Sequence, residues 1–282
     1  MNIKRYTRNF SVSRRPWFYP IISVVVALSL CLATPAPSQA IPWMNLLMQG
    51  VQIFQLSNIS SRDEVELGKQ INEQIVGEVP LYRNREINSY VNQIGQRLAA
   101  KSDCPNLPYT FQVVDDDSVN AFATAGGFIY VHTGLLTTAE NEAEVASVIA
   151  HENGHICGRH LIKQMRQTAI AQGVATAAGV DRSRAVQIGM ELALRRPRSR
   201  QDEFDADARG LRTLARAGYA PSAMVSFMQK LLTKGSTPTF LSTHPATKDR
   251  ISALEKRINA QNANLGDGLN KAAYRAKISA LL

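Results

Sequence analysis

The chain has 282 residues, 45% of them hydrophobic, enough to bury the core of one sizeable domain or two small ones. Its formal net charge is +9, but the first 40 residues hold five basic side chains and no acidic one, and without them the balance is +4. That modest excess, with no basic run interleaved by aromatics, excludes nucleic acid as an expected partner.

Lys4, Arg5, Arg8, Arg14 and Arg15 precede an apolar run, Ile21 to Leu32, which leads to the small-residue site Ser38-Gln39-Ala40. Basic, apolar, cleavage site is the order of a secretory signal peptide, so residues 1–40 are expected to direct export to the periplasm or envelope. The apolar run is short for a membrane span. In 41–60, Trp43, Leu46, Leu47, Val51 and Phe54 fall at helical spacing. A helix packed on the domain is the reading preferred there. The alternative, a surface helix dipping into a membrane, keeps a membrane surface among the partners.

One domain is expected over 61–260, followed by a polar tail at 261–282. Apolar spacing predicts helices from Ser61 to Ile75 and from Glu86 to Ala100, then a strand from Tyr109 to Val114. Asp115-Asp116-Asp117 lacks the glycine and distal glutamate of a calcium loop and reads as a polar turn. Phe122–Ala125 and Phe128–Val131 flank Gly126-Gly127, a hairpin signal. Thr137 and Glu140 read as the capping box of a helix reaching about His160. Residues 161–195 read as two short helices joined near Gly179. Arg195, Arg196, Arg198 and Arg200 form a basic cluster expected to be a solvated loop. A helix over Gln201–Ala217 ends at Gly218, a loop covers 236–245, and a closing helix 246–260. Cys104 and Cys157 stay in the exported chain; an oxidising compartment would let them pair, but a small buried thiol is the default for each.

The chemistry concentrates in His151-Glu152-Asn153-Gly154-His155. Residues four apart on a helix lie one above the other, so His151 and His155 can hold one metal ion, with Glu152 placed to take a proton from water. Val145, Val148, Ile149 and Ile156 share one face of this helix with Glu152 at its middle, and a carboxylate there is expensive unless it has a task. Ala146, Ala150, Gly154 and Gly158 make a stripe of small residues that invites a second helix. A catalytic zinc takes three protein ligands. By helical rotation His160 points away from His151 and reads as structural or exposed. On the later helix Glu203 can serve as the third ligand or simply as an acid at a helix start, with Asp207 orienting a histidine and Ala206 and Gly210 meeting the small-residue stripe.

Asn120-Ala121-Phe122-Ala123, Gly126-Gly127-Phe128-Ile129, the HENGH helix, Glu203-Phe204-Asp205-Ala206-Asp207 and Ser242-Thr243-His244-Pro245 with Arg250-Ile251 together resemble the gluzincin metallopeptidase family (peptidase family 48) of the CAAX prenyl, HtpX and Oma-like proteases. The resemblance covers about residues 61–258 and sits nearest the small exported Oma-like members. It implies an α+β, mainly helical, zincin-like fold with a small antiparallel sheet beside the active-site helix. It also implies one zinc held by His151, His155 and Glu203, Glu152 as general base, and His244 near the metal, assisting catalysis or blocking the site. His244 or Arg250 would then help at the oxyanion, and the hairpin, with Asn120 and Gly127, would hold a substrate backbone by strand addition. The expected function is endoproteolysis of unfolded or misassembled envelope proteins. The alternative is an envelope chaperone or assembly factor whose protease site is latched. A purely structural zinc would have no use for Glu152.

Overall fold

The computed structural model describes residues 53–174, 179–233, 239–245, 248–258 and 261–282, so the expected signal peptide lies outside the described residues, as does most of 41–60. What is described of that second segment is not helical: Ile53–Phe54 (β1) pairs antiparallel with Val180–Asp181 (β5), and a turn follows. β1 takes its partner from far along the chain, which local spacing cannot reveal.

α1 (Ser61–Glu78) starts where the Ser60 hydroxyl accepts the Asp63 N–H and buries Leu67, Ile71 and Ile75, each four apart. α2 (Arg85–Ala99) starts at Asn84 and buries Ile87, Val91, Ile94 and Leu98. β2 (Thr110–Val114), β3 (Ala121–Ala123) and β4 (Phe128–His132) form a sheet in the order β2-β4-β3. The expected hairpin is β3–β4, turning through Gly126 and Gly127 at φ +75° and +101°. The sheet is mixed rather than wholly antiparallel. After β2 the chain lays β3 on the far side of β4, so that β4 runs parallel to β2.

α3 (Thr133–Thr138) is a separate short helix, and α4 (Glu142–Cys157), which carries the histidines, starts later than Thr137 and Glu140 suggest. Its cap is Asn141, whose side chain accepts from Glu144 N (3.0 Å), while the Glu144 carboxylate accepts from Glu140 N (2.8 Å). α4 is buried all round from Ala143 to Ile156 because α2, the sheet, α7 (Arg200–Arg216) and α8 (Ser222–Thr233) pack about it. Its tightest neighbour is α7: a Cβ on Gly154 would lie 2.5 Å from Ala206 O, and one on Gly210 3.0 Å from the Ala150 backbone. The small-residue stripe therefore meets Ala206 and Gly210 as expected, bringing the backbones together.

α5 (His160–Ala171) and α6 (Arg182–Arg195) pack on each other, and α6 packs on α1, around a second core of Leu67, Ile71, Met165 and Ile188. α9 (Thr239–Thr243), α10 (Lys248–Arg257) and α11 (Lys271–Lys277) complete the described chain. The tail expected to be merely polar is tied to the start of α4. Tyr274 and Ile278 are buried, the Tyr274 hydroxyl donates to Leu136 O (2.5 Å), and Gly268 O accepts from Ala143 N (3.1 Å). Cys104 and Cys157 are a disulfide rather than two thiols, with Cα atoms 5.6 Å apart. The loop after α2 folds against the end of α4, a contact between elements that rotation about one helix does not disclose. No helix among the described residues is long and apolar enough to cross a membrane.

Candidate metal centre and active site

One turn of α4 sets His151 and His155 on the same face, with their Nε2 atoms 3.0 Å apart. The close α4–α7 crossing then delivers Glu203, whose Oε1 is 3.2 Å from His155 Nε2 and whose Oε2 is 3.5 Å from His151 Nε2. His244, just after α9, joins them: donor atoms of all four residues lie within 4.8 Å of one another, and none of the four is more than 3% exposed.

The donor set fits zinc. Ligands placed tetrahedrally at about 2.0–2.1 Å from the ion stand about 3.3 Å from each other, and the three separations found here are 3.0, 3.2 and 3.5 Å. His244 Nε2 is buried without a hydrogen bond, an imidazole nitrogen left for a ligand. Electrostatics point the same way. Burial resists a charge on His151, yet Asp207 and Glu203 outweigh it and raise the imidazole to about 9. The field that would protonate His151 equally favours a metal cation. Burial holds His155 and His244 well below the usual imidazole range, which leaves them neutral as ligands must be. Burial alone would raise Glu203, but His244, His151 and Arg250 bring it down to about 2.

Asp207, expected to orient a histidine, has its Oδ1 3.0 Å from His151 Nδ1. Arg250, expected near the oxyanion, is held by the carboxylates of the centre. Its Nε and Nη2 each donate to Asp207 at 2.7 Å, its Nη1 pairs with Glu203 Oε2 at 2.5 Å, and Nη1 also donates to Pro245 O at 2.9 Å. A guanidinium buried to 2% exposure needs these partners, and it thereby braces the centre and the His244-Pro245 segment.

His160 and Arg198 also lie beside the centre, where sequence reasoning did not place them. α4 ends at Cys157, so its rotation no longer applies, and His160 folds back with Nδ1 2.9 Å from His155 Nδ1. The available signal was Gly158, a helix-ending glycine. Arg198, expected in a solvated loop, is only 6% exposed; it donates to Gln164 (3.1 Å) and to Ala123 O (3.3 Å) and faces the charges of Glu152 and Glu203.

Glu152 is fully buried, with Oε1 3.5 Å from His244 Nε2. Burial pushes its carboxyl up to about 7, against the pull of His151 and Arg198. Beside it runs β3, the edge strand. Asn120 O and Thr124 N bond to β4, so the main-chain groups of Ala121 and Ala123 face outward. Asn120 therefore turns its carbonyl inward. Gly127 shapes the turn against the Pro108–Tyr109 backbone, where a Cβ would lie 3.3 Å from Pro108 O. The outward edge is engaged at both ends: Phe240 N donates to Val119 O (2.9 Å) and Arg198 to Ala123 O. The Phe240 ring stacks on His244 with centroids 4.7 Å apart.

The profile of Peptidase family M48 matches residues 86–258, which contain every residue of this centre. The chain belongs to Peptidase family M48. M48 is a peptidase family, and His151, His155, Glu203 and His244 offer one candidate metal site among the described residues. Among similar proteins is the beta-barrel assembly-enhancing protease of Escherichia coli (strain K12), 30% identical over 220 residues, covering 72% of this chain and 45% of that one. The mitochondrial metalloendopeptidase OMA1 of Arabidopsis thaliana is 38% identical over 161 residues, 55% of this chain and 33% of its own. The metalloprotease LoiP of Escherichia coli (strain K12) is 27% identical over 226 residues, 76% and 88%. The chain spans about half the length of the assembly-enhancing relatives it matches.

Proposed function

We propose that this M48 peptidase is exported and cleaves unfolded or misassembled proteins of the cell envelope. The observation that carries the reading is Glu152, a buried carboxyl pushed up to about 7 beside the His151–His155–Glu203 donor set. Those three residues would hold the zinc. Bound there, zinc supplies a Lewis acid that acidifies water and polarises a carbonyl. Glu152 takes the proton of the attacking water and later passes it to the leaving amine; a carboxyl near neutrality can do both. Asp207, gripped by Arg250, holds the His151 ring in place. The outward main chain of β3 at Ala121, between the carbonyls of Val119 and Ala123 that Phe240 and Arg198 engage, receives a substrate strand by strand addition, which reads backbone more than side chains and so suits unfolded segments.

Export is supported by the leader pattern of residues 1–40 and by the Cys104–Cys157 disulfide, which persists in oxidising compartments. The relatives named beta-barrel assembly-enhancing proteases support an envelope-assembly substrate. The test is digestion of an unfolded model protein by residues 41–282 with and without a zinc chelator, alongside Glu152→Gln. Cleavage should vanish with chelator and in the variant, the variant still holding zinc; cleavage that survives chelation sinks the proposal.

A second reading, an assembly factor with a latched protease, is favoured by one observation: the donor set is buried beneath Phe240 and His244. His244→Ala then raises proteolysis, and unchanged or lower activity counts against the latch.

A further inference from the structure

We infer that His160 is a positioning residue of the zinc centre: its Nδ1 accepts a hydrogen bond from His155 Nδ1–H and its Nε2–H donates to Asp205, so that His155 offers a bare Nε2 to the metal. The inference rests on the zinc reading above.

Geometry at both ends selects this arrangement. His155 Nδ1 and His160 Nδ1 face each other at 2.9 Å, so one of the two must carry the hydrogen. His155 Nε2 points at His151 Nε2 and Glu203, among the converging donors. A proton there would block the ligand position, so the hydrogen of His155 belongs on Nδ1. His160 Nδ1 is then the acceptor, and its hydrogen sits on Nε2. That nitrogen lies 3.1 Å from Asp205 Oδ2 and 3.5 Å from Asp202 Oδ1. The reverse assignment would aim two lone pairs at each other, imidazole against carboxylate.

The backbone is shaped to bring His160 back. A Cβ on Gly158 would lie 2.3 Å from His160 Nε2, so glycine leaves room for the ring. Arg159 is the non-glycine residue with positive φ (53°) among the described residues, a strained conformation that breaks α4 from α5. Its guanidinium is anchored to Ile59 O (2.8 Å) and Glu64 (2.7 Å), which holds the break. Asp205 is anchored in turn. Arg209 bridges it (2.7 Å) to Asp103 (3.2 Å), next to Cys104 of the disulfide whose other half, Cys157, ends α4. Each zinc histidine thus has its own carboxylate behind it: His151 has Asp207 directly, and His155 has Asp205 through His160. Such outer partners typically set 10–100-fold in metal affinity.

The test measures zinc affinity of the full chain by competition with a chromophoric chelator, and melting of the metal-free protein as a check on folding. His160→Leu removes the acceptor and should weaken zinc roughly 10–100-fold. His160→Asn puts an amide oxygen near the Nδ1 position and should stay within a few-fold of wild type, with metal-free forms melting alike. Asp205→Ala, at a half-exposed position, should show a smaller loss, since Asp202 remains nearby. Wild-type affinity in His160→Leu, or equal losses in the leucine and asparagine variants, overturns the inference. If the leucine variant does not fold, undiminished affinity in Asp205→Ala overturns it. A wild-type chain that binds no zinc overturns the zinc reading itself, and this inference with it.

Discussion

Gly154→Ala should empty the metal site while barely changing the fold. The added Cβ would lie 2.5 Å from Ala206 O and 3.0 Å from Ala206 Cα, against an ordinary contact distance of 3.4 Å or more. α4 and α7 must therefore separate by about 0.9 Å at the crossing. Overpacking of this kind costs about 1–3 kcal/mol, but replacing a helical glycine by alanine returns about 0.5–1 kcal/mol. Net destabilisation is then about 0–2.5 kcal/mol. The metal site is far less tolerant. Glu203 lies on α7 one turn from Ala206, and zinc–ligand distances hold to about ±0.2 Å. A displacement several times that tolerance parts Glu203 from the histidines of α4. Zinc content by mass spectrometry or chelator titration, thermal melting and proteolysis would be measured together. Gly77→Ala is the control: its Cβ meets nothing within 4 Å, so it should keep zinc and activity. Wild-type zinc affinity and proteolysis in Gly154→Ala would refute the argument that this crossing aligns the ligands.

Glu152 works as a base only when ionised, so kcat/KM should rise with pH and be lost as pH falls through its pKa, at or below about 7 once zinc adds its positive charge. Because Arg198 favours the ionised form, Arg198→Gln should move that limb to higher pH; an unmoved limb would remove Arg198 from the electrostatics of the site. Cys104→Ser/Cys157→Ser opens a 53-residue loop and should lower stability by about 4 kcal/mol on chain-entropy grounds, read from urea unfolding of oxidised and variant protein. Equal midpoints would show that the bridge adds nothing. Tyr274→Phe, which loses only the bond to Leu136 O, should cost about 1 kcal/mol, and Tyr274→Ala about 3–5 kcal/mol; a tail that is dispensable would show neither loss.

Much of this centre is legible in one dimension because its parts are local. His151, Glu152 and His155 need only one helical turn to share a face, and Asp207 follows Glu203 by four on another helix. The small residues Ala150, Gly154, Ala206 and Gly210 announce a close crossing before any fold is known, since backbones approach that closely only where side chains are absent. The Gly126-Gly127 hairpin is equally local.

What failed depended on where an element stops or which distant element it meets. Helical rotation carried His160 away from the site because it was extended past Cys157, whereas the Arg159 break reverses the ring onto His155. Arg198 and Arg250 have the charge of surface residues and become interior only because Glu152, Glu203 and Asp207 gather there to receive them. The disulfide and the docking of Tyr274 link elements far apart in sequence, and no periodicity encodes such pairs. The sequence by itself determined the candidate reacting groups and candidate metal ligands that share single helices. Only the tertiary structure decided which side chains brace them, how the centre is covered, and which buried charge sits beside Glu152, because burial and charge pairing belong to the packed assembly and not to any one segment.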